Sequence, residues 1–402
     1  MPQAIQALDD IRILDLTHFY NGPYATLTLA FLGAEVIKVE PPGRGEGGRT
    51  LYKAPGAALG LPFAMMNSNK RSITLNIKSE RGKDIFRRLV SRFDVLVENF
   101  SLGTMKALGL GYETLMALNP RLIYATGTGY GLTGPYKSFP AFDPVVQAMG
   151  GVLGTSGEAS GPPMKAGPAI VDILGGIHLA AGILAAIRER DKTGKGLLLE
   201  VSLHDTVIPT LTTHVGAYFG LGRHESLRNG NRAPGAAVAP YNVYRASDGH
   251  VLILGSDEPR WIRLCALMGR PELAHDPRFS SVPARVKNQD ALDAAIGEWT
   301  ATLAKEELMR MLNANDIFCG VVKNLPEVMS DPHLHERGML RVIEHPAHGP
   351  VTVFTTPLRL HGEPAEIRSP SPALGADNED FYAAELGLTR DEITGLHKDG
   401  VI

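Results

Sequence analysis

Short apolar runs alternate with amphipathic stretches through the first half of the chain. IRILDL (11–16), EVIKVE (35–40), RSITLNI (71–77), DVLVENF (94–100) and RLIYAT (121–126) are rich in Ile, Val and Leu, which predicts buried strands of a parallel sheet. YATLTLAFL, closed by Gly33, and SERGKDIFRRLVSRF, with Ser79 as N-cap, predict intervening helices. Strand and helix in alternation define an α/β fold with a Rossmann-like large domain. Further on, Ile173, Ile177, Ala181, Leu184 and Ile187 recur at steps of three or four. They predict a helix with that apolar face, ending on Arg188, Arg190 and Lys192 before Gly194, and LLLEVSL (197–203) then reads as another buried strand.

From 204 to 222 the pattern is again helical, and residues 222–240 are rich in Gly and Pro, which places a domain boundary near 225. YNVYRASDGHVLILG predicts a hairpin about Asp248-Gly249, and the helical stretches after it complete a smaller α+β domain. The expected division is 1–224, 225–330 and a C-terminal part, 331–402.

Composition narrows the classes. At 44% hydrophobic and 21% charged the chain is not of disordered type, and a net charge of −3 leaves no global positive field to hold nucleic acid. The N-terminus lacks a basic region followed by an apolar core, and no run approaches 18 uncharged apolar residues, so neither secretion nor membrane insertion is expected. Cys265 and Cys319 have neither CxxC nor metal-ligand spacing, which fits a reducing cytoplasm. His333, His335, His345 and His348 fall in a mixed loop without metal-site spacing, so no metal is expected.

Candidate chemistry centres on Asp172, at the start of the central helix. Unpaired N–H groups and the helix dipole there are expected to keep its carboxylate ionised, and an ionised carboxylate is a nucleophile. Gly175 and Gly176 follow inside the helix at a cost of about 1 kcal/mol each against alanine, so close approach of a ligand or another helix must select them. The alternative is a plain first-turn acid with glycines for packing. The strand-helix pattern also raises dinucleotide binding, with Glu40 gripping a ribose. THFYNGP, however, has one glycine where the phosphate-binding turn needs three. GRGEGG (43–48) reads as a mobile loop and candidate ligand flap.

The pattern D-x-x-x-G, an alanine-rich helix, R-x-x-x-x-T-G-x-G and a hydrophobic strand resembles the family III (CaiB/BaiF-type) CoA-transferases. So do LDLTHFYNGPYAT, LGAEVIKVEPPG, NSNKRSITLNIKS, VENF and LNPRLIYATGTGYG. The resemblance runs from about Leu8 to Ile402. It implies Asp172 as catalytic nucleophile, His18, Tyr20 and Asn21 near the thioester, and Leu75, Lys78, Asn99 and Phe100 beside the coenzyme A nucleotide. Loop and strand-end roles for His18, Lys70 and Arg71 are the structural alternatives. Formyl-CoA:oxalate transferases carry glutamine at the position of Tyr20 and arginines at those of Pro41 and Ala107. Arg44, Arg49 and Lys106 are therefore the expected substitutes at the phosphates, and oxalate is not assured as acceptor.

In FDPVVQAMGG (142–151), racemases of the same fold use a histidine as second acid/base where this chain has Phe142, which carries no proton. Asp143 is expected to orient a loop or bond near Asp172, or to cap a helix. Arg232 is a candidate for a substrate carboxylate or an exposed linker residue. The resemblance further implies an interlocked homodimer and a C-terminal segment returning to the large domain. The substrates it implies are an acyl-CoA donor and a carboxylic acid acceptor, with no permanently bound cofactor.

Overall fold

The computed structural model describes residues 6–402 apart from 54, 58, 221, 223–227 and 256. Six strands form the main sheet: β1 (Arg12–Asp15), β2 (Glu35–Glu40), β3 (Lys70–Thr74), β4 (Val95–Glu98), β5 (Ile123–Thr128) and β6 (Leu198–Ser202). All neighbours are parallel, in the order β3-β2-β1-β4-β5-β6. The chain starts in the middle, runs out to β3, then returns to lay β4 on the far side of β1. Loops leaving β1 and β4 therefore diverge and open a crevice at the carboxyl ends of those strands.

Both faces are covered, as strands apolar on both sides require. On one face α1 (Asn21–Phe31) and the later α4 pack over Ile13, Val36, Val97 and Ala125. On the other, α2 (Glu80–Val90), capped by Ser79 accepting from Gly82 N–H, packs Phe86 and Leu89 against Leu14, Ile37 and Leu96. LLLEVSL differs from expectation: β6 is an edge strand, mostly half-exposed, with Glu200 facing solvent.

Two helices shape the crevice, α3 (Asp143–Met149) and α4 (Ile170–Thr193). By length and composition α4 could cross a membrane, with a mean hydropathy of 2.1 over its apolar window. In the structure it is a core helix, but on a different face from the one the periodicity selected. Gly175, Gly176, Leu179, Ile183 and Ala186 are buried, whereas Ile177 and Leu184 are 48% and 37% exposed. A helix apolar all round gives no unique stripe, and the true contact face is marked by small residues. A Cβ on Gly175 would overlap Asn21 and Leu203, and one on Gly176 would come within 2.7 Å of the Asn21 carbonyl oxygen. Another helix, α1, thus accounts for both glycines.

Chain division also departs from the expected limits. One unit comprises 1–150, 168–207 and 329–402, and the other 151–167 and 208–328, so the segment before 225 is split at Val207/Ile208. The helical pattern of 204–222 breaks there into Leu203–Val207, a 3₁₀ turn carrying Pro209, and Thr212–Gly220. Within the second unit, Tyr241–Ala246 and Gly249–Leu254 form the expected hairpin. Ala246 pairs with Gly249, so Ser247 and Asp248 occupy the turn. Arg232 there is bound to Asp290 and Asp293 and is neither exposed linker nor free carboxylate binder.

In the first unit, α5 (Asn378–Leu386) and α6 (Arg390–Lys398) close the sheet edge. Asp377 accepts from Ser72 N–H at 2.8 Å, Asn378 accepts from Thr74 N–H at 2.9 Å, and Tyr382 O–H donates to Thr74 C=O at 2.7 Å. Side chains thus satisfy the backbone of an otherwise open edge strand.

Close packing of α1 on α4 makes Gly175→Leu expected to destabilise the fold by about 1–3 kcal/mol through overpacking. Gly395→Ala, in α6 with nothing within 4 Å of the added methyl, should stabilise by about 0.5–1 kcal/mol. Urea unfolding of both variants checks the pair. An unchanged midpoint for Gly175→Leu would refute the tight approach.

Candidate active site

The crevice at the β1/β4 switch point holds a cavity of about 520 Å³, lined by His18 to Asn21, Asn99 to Leu102, Gly127 to Gly129, Lys137 to Phe142, Asp172 and Leu203. Six sequence candidates, His18, Tyr20, Asn21, Asn99, Phe100 and Phe142, are thereby brought together around the seventh, Asp172.

The β1 loop is fixed from beneath. Asp15 is fully buried and accepts from Thr17 N–H and Oγ1, Thr26 Oγ1 and Lys70 Nζ, the last at 3.0 Å. Lys70 also donates to Pro23 C=O and Asn67. It is 3% exposed, so it is neither a solvated strand end nor a phosphate ligand. Burial lowers its pKa to about 8, against the opposing pull of Asp15. Higher up, Asn99 clamps the loop: its Oδ1 accepts from His18 N–H at 2.8 Å and its Nδ2 donates to His18 C=O at 3.0 Å. Both ends of that amide are thus occupied by protein. Burial, reinforced by the charge of Lys38, lowers the His18 pKa, and Glu46 opposes. Its ring packs on Phe100 at 5.2 Å.

At Asp172 the structure reverses the expected electrostatics. The N–H groups of Val171 and Asp172 at the start of α4 are taken by Asp143 Oδ2, at 2.8 and 3.1 Å. Asp143 also accepts from Gln147 Nε2 at 2.5 Å. Hence Asp143 neither caps its own helix nor lies free; it caps the helix that carries Asp172. The Asp172 side chain, left without those donors, has its pKa pushed up to about 7, first by burial and then by the negative charge of Asp143. The Tyr20 pKa is also raised, chiefly by burial, with smaller contributions from Tyr52 and Asp172. The Gly150 N–H at the end of α3 is bonded to Val146 C=O at 2.7 Å and is not free to serve an oxyanion.

Asn99 and Phe100 aside, the expected nucleotide residues do not reach the main cavity. Arg44, Leu75 and Lys78 line another of about 250 Å³ with Pro41, Pro42 and Ile77, an apolar slot carrying two exposed cations. Lys106 lines a separate one of about 240 Å³ with Met105, Tyr112 and Tyr124. Arg49 joins neither set: it is buried in a bidentate bond to Glu40, at 2.6 and 2.7 Å, which also removes Glu40 as a ribose ligand. GRGEGG is tied down through buried Glu46 and Arg49, with Glu46 accepting from Gly48 N–H. Among the described residues no three His, Cys, Asp or Glu side chains converge as metal ligands.

Sequence reasoning missed Phe19, Ser101, Thr128, Lys137, Phe139 and Leu203 on the main cavity. The available signal was topological, since segments following β1, β4 and β5 meet at the switch point.

A doubly wound sheet whose first turn lacks the phosphate-gripping glycines, with a buried carboxyl group in the switch-point cavity, speaks against a dinucleotide-dependent reductase. Comparison with known proteins resolves the class further. Residues 8–378 match the family description CoA-transferase family III. The chain is 39% identical to the formyl-CoA:oxalate CoA-transferase of Streptomyces coelicolor and 36% identical to the succinyl-CoA--D-citramalate CoA-transferase of Chloroflexus aurantiacus. These alignments cover 99% of both chains and 98% of both chains, respectively. A CAIB/BAIF family protein from Brucella suis superposes with a TM-score of 0.85 at 33% identity, over 95% of this chain and 100% of that one. The chain belongs to CoA-transferase family III and is an enzyme of that family.

An NMR titration of the Asp172 carboxyl carbon is expected to show a midpoint near 7, moving to lower pH in Asp143→Asn as the neighbouring charge is removed. A wild-type midpoint in the ordinary carboxylate range would mean that the helix end controls Asp172 after all.

Proposed function

We propose that this enzyme moves coenzyme A from an acyl-CoA to a carboxylic acid through covalent intermediates on Asp172. The observation that carries the reading is the Asp172 carboxyl on the wall of the switch-point cavity, without the helix N–H donors that would quench its basicity. An Asp172 oxygen attacks the thioester carbonyl carbon, the C–S bond breaks, and CoA leaves as thiolate with an acyl-aspartyl anhydride formed. The thiolate attacks the aspartyl carbonyl, releasing the donor acid and leaving an aspartyl-CoA thioester. The acceptor carboxylate then displaces the thiolate to give a second anhydride, and thiolate attack on its acceptor-side carbonyl yields the new acyl-CoA and free Asp172. Each intermediate is an activated acyl compound, so no external energy source enters.

Tyr20, a phenol that keeps its proton at neutral pH, is the hydroxyl offered to the developing oxyanions. Arg44 and Lys78 receive the CoA phosphates, with Pro41, Leu75 and Ile77 as the apolar slot for the adenine. The relatives' names pair formyl-CoA with oxalate and succinyl-CoA with D-citramalate, which supports small acyl groups and carboxylic acids as the substrate range. A second copy of the chain as partner is supported by the solvent-facing Ile177 and Leu184 on α4.

Incubation with a panel of acyl-CoAs and hydroxylamine, followed by intact-mass analysis, is expected to place a hydroxamate on Asp172 with its own donors only. Asp172→Ala should show none and lose at least about 1,000-fold in turnover. Exchange of the α-proton in heavy water with no hydroxamate would replace this reading with racemisation. Arg44→Ala/Lys78→Ala is expected to raise the KM of a CoA thioester about tenfold while leaving the corresponding pantetheine thioester unchanged. An equal effect on both would remove the two cations from the nucleotide site.

A further inference from the structure

Among the described residues that line the main cavity, Asp172 is the sole carboxylic acid and Lys137 the sole lysine or arginine. The other titratable base there, His18, has its pKa lowered by burial and by the charge of Lys38, which disfavours its cationic form. Lys137 is exposed, and no described side chain pairs with its ammonium.

Its placement is built rather than incidental. The residues around it are anchored by an aromatic cluster: Tyr130, Tyr136 and Phe139 stand with ring centroids 6.0, 6.3 and 5.3 Å apart, and Phe139 N–H donates to Tyr136 C=O at 2.8 Å. Lys137 lies between Tyr136 and Phe139 in this cluster, which places its exposed, unpaired ammonium on the cavity lining. In the proposed reading the phosphates of CoA are met by Arg44 and Lys78, which line a different cavity. A thioester and a reacting carboxyl need no further cation once they sit at Asp172. A substrate carrying a second, non-reacting carboxylate does, because it would otherwise bring an uncompensated negative charge into the cavity that holds Asp172.

We propose that Lys137 receives this second carboxylate, which makes it a specificity-determining residue for dicarboxylic acids or their mono-CoA thioesters. The inference rests on the reading of the cavity as the acyl-transfer site, and it deepens that reading by naming the substrate class. One charge-assisted contact at a partly exposed site corresponds to a preference of about tenfold over a neutral substrate of equal length, weakening as salt is added.

The test is calorimetric binding of succinyl-CoA and butyryl-CoA, which match in chain length and differ in the terminal carboxylate, to the full chain carrying Asp172→Asn so that no covalent step follows. Succinyl-CoA is expected to bind about tenfold more tightly. Lys137→Met should abolish that preference without weakening butyryl-CoA, and Lys137→Arg should retain it. Absence of a preference in the Lys137-containing protein overturns the proposal, as does equal weakening of both ligands in Lys137→Met, which would assign the ammonium to CoA itself. Failure of hydroxylamine trapping would sink the covalent role of Asp172 while leaving this binding comparison intact.

Discussion

One helix terminus and two carboxyl groups set the character of the site. The start of α4 offers backbone N–H groups that stabilise a single anion, and Asp143, arriving from α3, occupies them with one oxygen. Asp172 belongs to the same helix and its own N–H is one of the two donors, yet its side chain receives neither. The capped carboxylate is spent on structure. The uncapped one keeps the basicity that burial and a like charge confer, and its pKa rises to about 7. Exchanging the two roles would produce a well-solvated, weakly nucleophilic acid at the cavity wall, so the local geometry of α3 against α4 is a chemical constraint as much as a packing one.

That geometry depends on how closely α1, α4 and the β1 loop can approach. Gly175 and Gly176 let α1 lie against α4, and Asn21 enters the gap with its Nδ2 3.5 Å from the Asp172 carbonyl oxygen. Beneath, the buried Asp15 joins β1, α1 and β3 through Thr17, Thr26 and Lys70. A buried ion pair adds little net stability once desolvation is counted, but removing one partner strands the other, so such a network fixes position more than it adds energy. Here it fixes the loop that carries His18, Tyr20 and Asn21 to the cavity.

Much of this was legible in the order of residues. Apolar runs gave all six strands of the sheet, although the last proved to be a half-exposed edge strand rather than a buried one, Ser79 marked a helix start, and the glycine-poor turn after β1 spoke against dinucleotide binding. The face of α4 was not legible, because a helix apolar all round has no single stripe and the two glycines mark its buried side better than its leucines and isoleucines do. Nor was the state of Asp172: a first-turn acid normally gains from the helix end, and only the three-dimensional arrival of Asp143, 29 positions earlier in sequence, reverses the sign. Arg49 looked like a phosphate ligand because bidentate pairing to Glu40 leaves no local signature. Lys137 passed unnoticed because a lone lysine in a turn-rich segment looks like any solvated loop residue until Tyr130, Tyr136 and Phe139 are seen to pin that segment.

The proposed route also resolves a difficulty that the raised pKa would seem to create. A carboxyl with a pKa near 7 is ionised in only about half of the molecules at neutral pH, a loss of about twofold, whereas the accompanying gain in basicity strengthens the attacking oxygen. The greater hazard is electrostatic, since an anionic acceptor must enter a cavity whose nucleophile is itself an anion. On the covalent route the two charges never coincide. Asp172 is anionic when the group it attacks is a neutral thioester, and it is acylated when the reacting carboxylate of the acceptor arrives. The remaining nearby negative charge, on Asp143, is turned toward Val171 N–H, Asp172 N–H and Gln147. Direct attack of the acceptor on the donor thioester beside a free Asp172 would instead place two carboxylates together in a buried site. Covalent relay through the aspartate is therefore the order of events that this charge arrangement favours.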